Sequence, residues 1–263
     1  MMGRIDCNCF VGGWPFHYVR NRSFSALRRL HAENGIRSGF VSSTDAIFFN
    51  DPYEADHRLA EEISGSGYRH VVTLNPMLPG CCDSLRRMAR TFQVSGVRLL
   101  PGFHGYRMED ARLESLCLLL EELRLPLFLT LRMEDERITY LMQPQDIPLW
   151  DLSMFAAKYP NIPILLCNAR CFELCWLSDT MREYENLYAD CSGLKNGLFG
   201  MDEVQDPLIQ SRLVYGSLAP LLCMKSTILL LDRANIAQEQ KEAIYSAKNF
   251  LALAERSRGA SAV

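Results

Sequence analysis

Ile5-Asp6-Cys7-Asn8-Cys9-Phe10, running at once into Val11-Gly12-Gly13-Trp14-Pro15, is the stretch on which the fold turns. A run that is apolar or small on both faces reads as a strand buried on both sides. The paired glycines with Trp-Pro behind them read as a turn. Such a strand opens either a doubly wound sheet or a parallel barrel. The doubly wound alternative marks its first turn with a G-x-G-x-x-G phosphate loop, and Gly12-Gly13-Trp14-Pro15 lacks that spacing.

Downstream, the same strand-then-helix unit recurs. Further strands are expected at 36–41, 70–74, 96–100, 127–131, 162–167, 187–190 and 213–215. Helices are expected between and after them, at 23–33, 51–63, 83–92, 110–123, 149–158, 172–184, 202–211, 220–231 and 238–255. The punctuation agrees: Ser23 and Asp51-Pro52 open helices, Asn34-Gly35 closes one, and Asn75-Pro76 and Pro101-Gly102 stop strands. Eight alternations make an α/β (β/α)8 barrel over a single domain, 1–255, with 256–263 as a flexible tail. Side chains two apart on a strand share a face, so Asp6, Asn8 and Phe10 are expected inside the barrel.

The chain has 263 residues, 48% hydrophobic and 22% charged, enough to bury a full core. A net charge of −3 and a pI near 6.0 provide no basic field, which argues against a nucleic-acid partner. No apolar run has the length of a membrane span, and Asp6 follows the first residues too closely for a signal peptide. The expected location is the cytoplasm, where the ten cysteines stay reduced and pack as small hydrophobes. Cys167-x3-Cys171-x3-Cys175 matches no usual zinc spacing and is read as packing.

With that frame in place, the chain resembles the amidohydrolase-related proteins along nearly its whole length. The pieces are Ile5-Asp6, Asn75-Pro76, Gly96-Val97-Arg98-Leu99-Leu100-Pro101 leading to Phe103-His104-Gly105-Tyr106, and Leu125-Pro126-Leu127. They continue with Arg132-Met133-Glu134-Asp135-Glu136-Arg137, Tyr159-Pro160-Asn161-Ile162-Pro163, Tyr188-Ala189-Asp190 and Tyr215-Gly216-Ser217-Leu218-Ala219-Pro220. The resemblance implies a hydrolase or lyase barrel whose first strand carries Asp-x-His-x-His around a catalytic metal. Here those histidines are Asn8 and Phe10. Strand five ends Leu129-Thr130-Leu131-Arg132, strand six ends Leu166-Cys167-Asn168, and Leu218 stands where an aspartate follows Gly-Ser. Arg98 takes the place of a carboxylated lysine. Zinc needs three imidazole, thiolate or carboxylate ligands, so neither metal nor other cofactor is expected.

Chemistry in such a barrel sits at the C-terminal ends of the strands. Asp190 and His104 are the candidate catalytic groups, as a general base at the end of strand seven and a proton carrier after strand four. Asn8, Arg98, Arg132, Asp135 and Asn168 are the candidate substrate-binding groups. The amides orient a carbonyl or a water, and the arginine forks hold a carboxylate. Arg132 is taken as the main anchor. Arg98, deeper in its strand, has the alternative of an ion pair with Asp6 or Asp190, and Arg132 that of pairing with Asp135. His104 has the alternative of bonding only the loop backbone, and His17 is a weaker second choice. His31, His57 and His70 are read as structural.

Three functions compete: a metal-independent hydrolase or lyase on a small carboxylated substrate; an inactive relative that binds a small molecule or a protein through the same mouth; and a barrel holding a metal by other ligands, among Asp6, Asp190, His104 and a cysteine. The partner expected is a small carboxylate, with no nucleic acid and no membrane. Assembly into a homo-oligomer is left open.

Overall fold

The computed structural model describes residues 3–134, 144–194 and 204–259. Eight parallel strands pair in sequence order: β1 (Arg4–Val11), β2 (Ile36–Ser43), β3 (Arg69–Thr73), β4 (Gly96–Leu99), β5 (Leu127–Thr130), β6 (Ile164–Cys167), β7 (Leu187–Asp190) and β8 (Leu213–Val214). The ring closes where Cys7 N donates to Tyr215 O, Leu218 N to Asn8 O and Phe10 N to Ala219 O. The architecture is the expected (β/α)8 barrel.

The helices are α1 (Phe24–Glu33), α2 (Asp45–Phe48), α3 (Pro52–Ile63), α4 (Cys81–Thr91), α5 (Pro101–His104), α6 (Arg112–Leu123), α7 (Leu149–Lys158), α8 (Cys171–Trp176), α9 (Ser178–Glu183), α10 (Pro207–Ser211), α11 (Met224–Arg233), α12 (Gln238–Ser246) and α13 (Lys248–Gly259). Ser23 and Asp51 cap α1 and α3 through their side chains, as their positions require. Three departures from the sequence reading have local causes. The helix expected over 172–184 breaks at Leu177, which ends α8 and begins α9. The one expected over 238–255 breaks at Ala247, whose φ of 52° is left-handed, and α13 then runs on to Gly259, into the stretch read as a tail. The single turns α2 and α5 follow β2 and β4 directly, too short to leave a helical period.

Two layers of side chains fill the lower barrel, one residue pair apart along each strand. The first is apolar: Cys7, Phe40, Val71, Phe128, Leu165, Tyr188 and Val214, closed from below by Phe250 of α13. β4 contributes Gly96, and a Cβ there would lie 2.6 Å from the Phe128 ring, so the phenyl takes the missing side chain's room. Two residues on, each strand points inward again, and the character changes to Ser42, Thr73, Arg98, Thr130, Cys167 and Asp190, all buried. Above them Phe10, Trp14, Leu100, Met133 and Leu218 form an apolar cluster at the C-terminal end.

β1 departs from strict alternation. Its pairing with β2 shifts register between Asp6 and Cys9, and Asp6 turns toward α1 and the end of β8 instead of joining Asn8 and Phe10. Its Oδ1 accepts from Asn8 N and Ser217 N at 3.0 Å each. Its Oδ2 accepts from Ser217 Oγ at 2.5 Å and His31 Nε2 at 3.2 Å. The bulge thus makes Asp6 a clasp between the first and last strands.

Candidate active site

The buried polar layer is the candidate site. Asp190 ends β7 with both oxygens occupied: Oδ1 accepts from Asn168 N (3.0 Å), Ser192 N (2.9 Å) and Ser192 Oγ (2.7 Å), and Oδ2 from Asn8 Nδ2 (2.5 Å). Burial pushes its pKa up, and these hydrogen bonds hold the rise back. A Cβ on Gly216 would lie 2.7 Å from this carboxyl, so the chain just past β8 can pass here only as glycine. Asn8 spends its amide nitrogen on Asp190 and leaves its buried Oδ1 without a partner.

Arg98 stands in the same layer, fully buried, and pairs with neither Asp6 nor Asp190. Its Nε donates to Ser42 Oγ (2.8 Å) and its Nη1 to Thr130 Oγ1 (2.7 Å), and its guanidinium lies 4.4 Å from the centre of the Phe10 ring. Nη2 has no hydrogen-bond partner, and neither has the hydroxyl of Thr73, the residue paired with Arg98 across the β3–β4 ladder. Neutral hydroxyls and a ring face compensate this cation where a carboxylate would ordinarily be required.

Arg132, just past β5, is engaged. Nη2 and Nη1 bind Glu173 of α8 at 2.6 and 2.8 Å, Nη1 also reaches Asn168 O (2.9 Å), and Nη2 reaches Asp146 (3.2 Å). Burial works to lower its pKa, and Glu173 with Asp146 outweighs that, leaving it above the ordinary guanidinium value. Asp135, the partner expected from the sequence, lies outside the described residues. Asn168, with a left-handed φ of 63°, gives its side-chain amide to Arg132 O while its backbone holds Asp190. His104 ends α5 and donates from Nε2 to Ile47 O at 2.9 Å; burial lowers its pKa.

The structure therefore brings Asn8, Arg98 and Asp190 into one layer and sets Arg132, Asn168 and His104 around its rim. Ser42, Thr73, Thr130, Ser192 and Glu173 were missed. For three of them a signal existed: Phe40-Val41-Ser42, Val71-Val72-Thr73 and Phe128-Leu129-Thr130 each put a hydroxyl two residues past an inward apolar side chain.

Two donor sets were tested as metal sites. Inside the barrel, Phe10 and Leu218 offer no ligand atom, Asp190 is saturated, and Arg98 already supplies a positive charge. These residues do not fit a divalent ion. Outside the barrel, one atom each of Asp6, Cys9 and His31 lies within 4.8 Å of the others. Those atoms are satisfied by protein: Asp6 by four donors, Cys9 by Phe40 O (3.3 Å), and His31 by Asp6 and, at Nδ1, the Tyr68 hydroxyl (2.7 Å). Burial raises the Tyr68 pKa, so the phenol keeps its proton. The trio reads as a hydrogen-bonded clasp.

No protein-family model matches the chain, and no curated protein matches it. Solved structures do. A 5-carboxyvanillate decarboxylase from Sphingomonas paucimobilis superimposes with a TM-score of 0.70 at 12% identity, covering 97% of this chain and 99% of that one. A dihydroxybenzoic acid decarboxylase from Polaromonas sp. JS666, with bound manganese and the inhibitor 2-nitroresorcinol, gives 0.69 at 16%, covering 96% and 98%. A 2,6-dihydroxybenzoate decarboxylase from Rhizobium gives 0.70 at 15%, covering 97% and 99%. Barrels named as amidohydrolases are among the matches too. At these identities the likeness establishes the fold. Among the described residues no helix is long and apolar enough to cross a membrane.

Proposed function

We propose that this chain is a metal-independent hydrolase or lyase for a small carboxylated substrate, held in the upper barrel by Arg98. One observation carries the reading: a fully buried guanidinium with no carboxylate partner and an unfilled Nη2. A buried cation costs stability unless something compensates it, and an entering carboxylate would do so with charge-assisted hydrogen bonds. The names of the solved barrels support the substrate class, since 5-carboxyvanillate and dihydroxybenzoate are both carboxylates.

In this reading Arg98 is the anchor, and the unpartnered Asn8 Oδ1 and Thr73 hydroxyl take up polar groups of the same ligand. Asp190, with its pKa raised by burial, keeps or releases the proton. Asn168 and Arg132 shape the rim; Arg132 spends its fork on Glu173 and is not the anchor. His104 acts from the rim only if it leaves the Ile47 carbonyl. Fixed side-chain charge then does electrostatically part of what a metal does in other barrels.

A second reading, an inactive relative that binds the same class of molecule, is favoured by the apolar cluster over the layer and by the saturation of Asp190. Calorimetric titration of small mono- and dicarboxylic acids against wild type and Arg98→Gln tests what both readings share. Loss of a charged hydrogen bond, about 1.5–3 kcal/mol, should weaken binding by roughly one to two orders of magnitude. Equal binding by the variant, or no binding of any acid, sinks both. Release of carbon dioxide or of a hydrolysis product from a bound acid then selects the enzyme; binding without turnover selects the inactive relative.

A further inference from the structure

The opposite end of the barrel carries a cleft of about 620 Å³, walled by the starts of β3, β4 and β5, the C-terminal ends of α3 and α4, and α13. That volume is in the range of small-molecule sites. Phe40, Phe92 and Leu251 give it apolar walls, and two adjacent residues of β3 give it polar character.

Arg69 lies with its guanidinium 5.1 Å from the centre of the Phe40 ring, and no carboxylate pairs with it among the described residues. Glu255 shares the cleft without closing on it. His70 is the second group, 2% exposed and stacked on Phe92 with ring centroids 5.2 Å apart. Its Nε2 donates to Asp56 Oδ1 at 3.0 Å, while Asp56 Oδ2 accepts from Thr73 N. In the neutral ring Asp56 thereby fixes the tautomer with the lone pair on Nδ1, and that buried atom has no hydrogen-bond partner. Leaving an acceptor buried and unmade is costly, and such atoms in a cleft wall mark a place where a donor belongs.

We infer that this cleft is a second ligand site, for a flat aromatic acid that bears a hydroxyl or amine. The ring packs between Phe40, Phe92 and Leu251, the anion meets Arg69, and the hydroxyl or amine donates to His70 Nδ1. The inference does not depend on Arg98 or on catalysis at the other end.

The probes are 3-hydroxybenzoate, benzoate, which lacks the donor, and 3-methylphenol, which lacks the anion. Titrations use the Arg98→Gln protein, in which the upper site is disabled, with nitrogen NMR of the His70 ring in wild type as a site-specific readout. The ring signal is assigned with His70→Gln. Expected results are tightest binding by 3-hydroxybenzoate, movement of the His70 Nδ1 signal toward a hydrogen-bonded position, and about tenfold or greater weakening in Arg69→Met. Benzoate should bind without moving that signal. The inference is overturned if no probe binds, if Arg69→Met binds 3-hydroxybenzoate as well as its parent, or if the His70 signal stays still while the acid binds. Should His70→Gln fold poorly, the ring signal is assigned in wild type by through-bond correlation to the His70 backbone, and the readout stands.

Discussion

Two arginines, one fully buried inside the barrel and one partly buried on its rim, are compensated in opposite ways. Arg132 meets Glu173 fork to fork, with Asp146 and a backbone carbonyl filling in, and the rim there is a closed ion-pair network. Arg98 meets two hydroxyls and an aromatic face, and one nitrogen stays unfilled. The same side chain is structural where its counter-charge is supplied and available where it is withheld. Position along the strand, deep or at the mouth, does not decide the matter; partners do.

The largest expected effect breaks the closed half of this contrast. Glu173→Ala leaves the partly buried Arg132 with only Asp146 and the Asn168 carbonyl, and removal of one partner from a buried pair costs about 3–5 kcal/mol. Chemical denaturation should read that loss. A change below about 1 kcal/mol would mean that the rim network is solvated and that Arg132 is freer than its contacts indicate.

Arg98→Met should go the other way. A buried charge without a counter-ion, replaced by an apolar side chain, is expected to leave stability unchanged or raise it by about 1–4 kcal/mol, while carboxylate binding is lost. A loss of several kcal/mol in the same denaturation assay would make Arg98 a structural residue and collapse the contrast.

The arrangement of strands was legible because each carries an apolar run, closed after β1, β3, β4, β6 and β8 by a glycine, proline or asparagine, and β7 (Leu187–Asp190) was read to the residue. What escaped was long-range. Glu173 stands 41 residues from Arg132 in the chain, on α8, and nothing in the residues around strand five points to it. Asp6 was assigned to the interior because a regular strand would put it there, and a register shift toward β2 is invisible in one strand's own residues. Ala247 breaks a helix without glycine or proline. The hydroxyls around Arg98 could have been found by carrying the alternation of β2, β3 and β5 two residues further.

The smallest expected effect sharpens the boundary of the site at His104. Burial lowers its pKa below the ordinary value near 6.5, so the folded state prefers the neutral ring. The unfolded chain then binds the proton more readily. The stability contribution is complete above the unfolded pKa and is lost as pH falls from about 6.5 through the lower folded value. Thermal midpoints of His104→Gln should fall less than those of wild type across that window. Parallel curves would mean that the ring titrates as it does in water, and is open to the solvent of the mouth.

The most direct test is to locate the carboxylate. A crystal structure of the protein with its tightest-binding small acid should show the carboxylate within hydrogen-bond distance of Arg98 Nη2, with Phe10 or its apolar neighbours displaced to admit it and the Arg132–Glu173 pair intact. A carboxylate seated on Arg132 with Glu173 displaced, while Arg98 keeps only its two hydroxyls, would contradict the account.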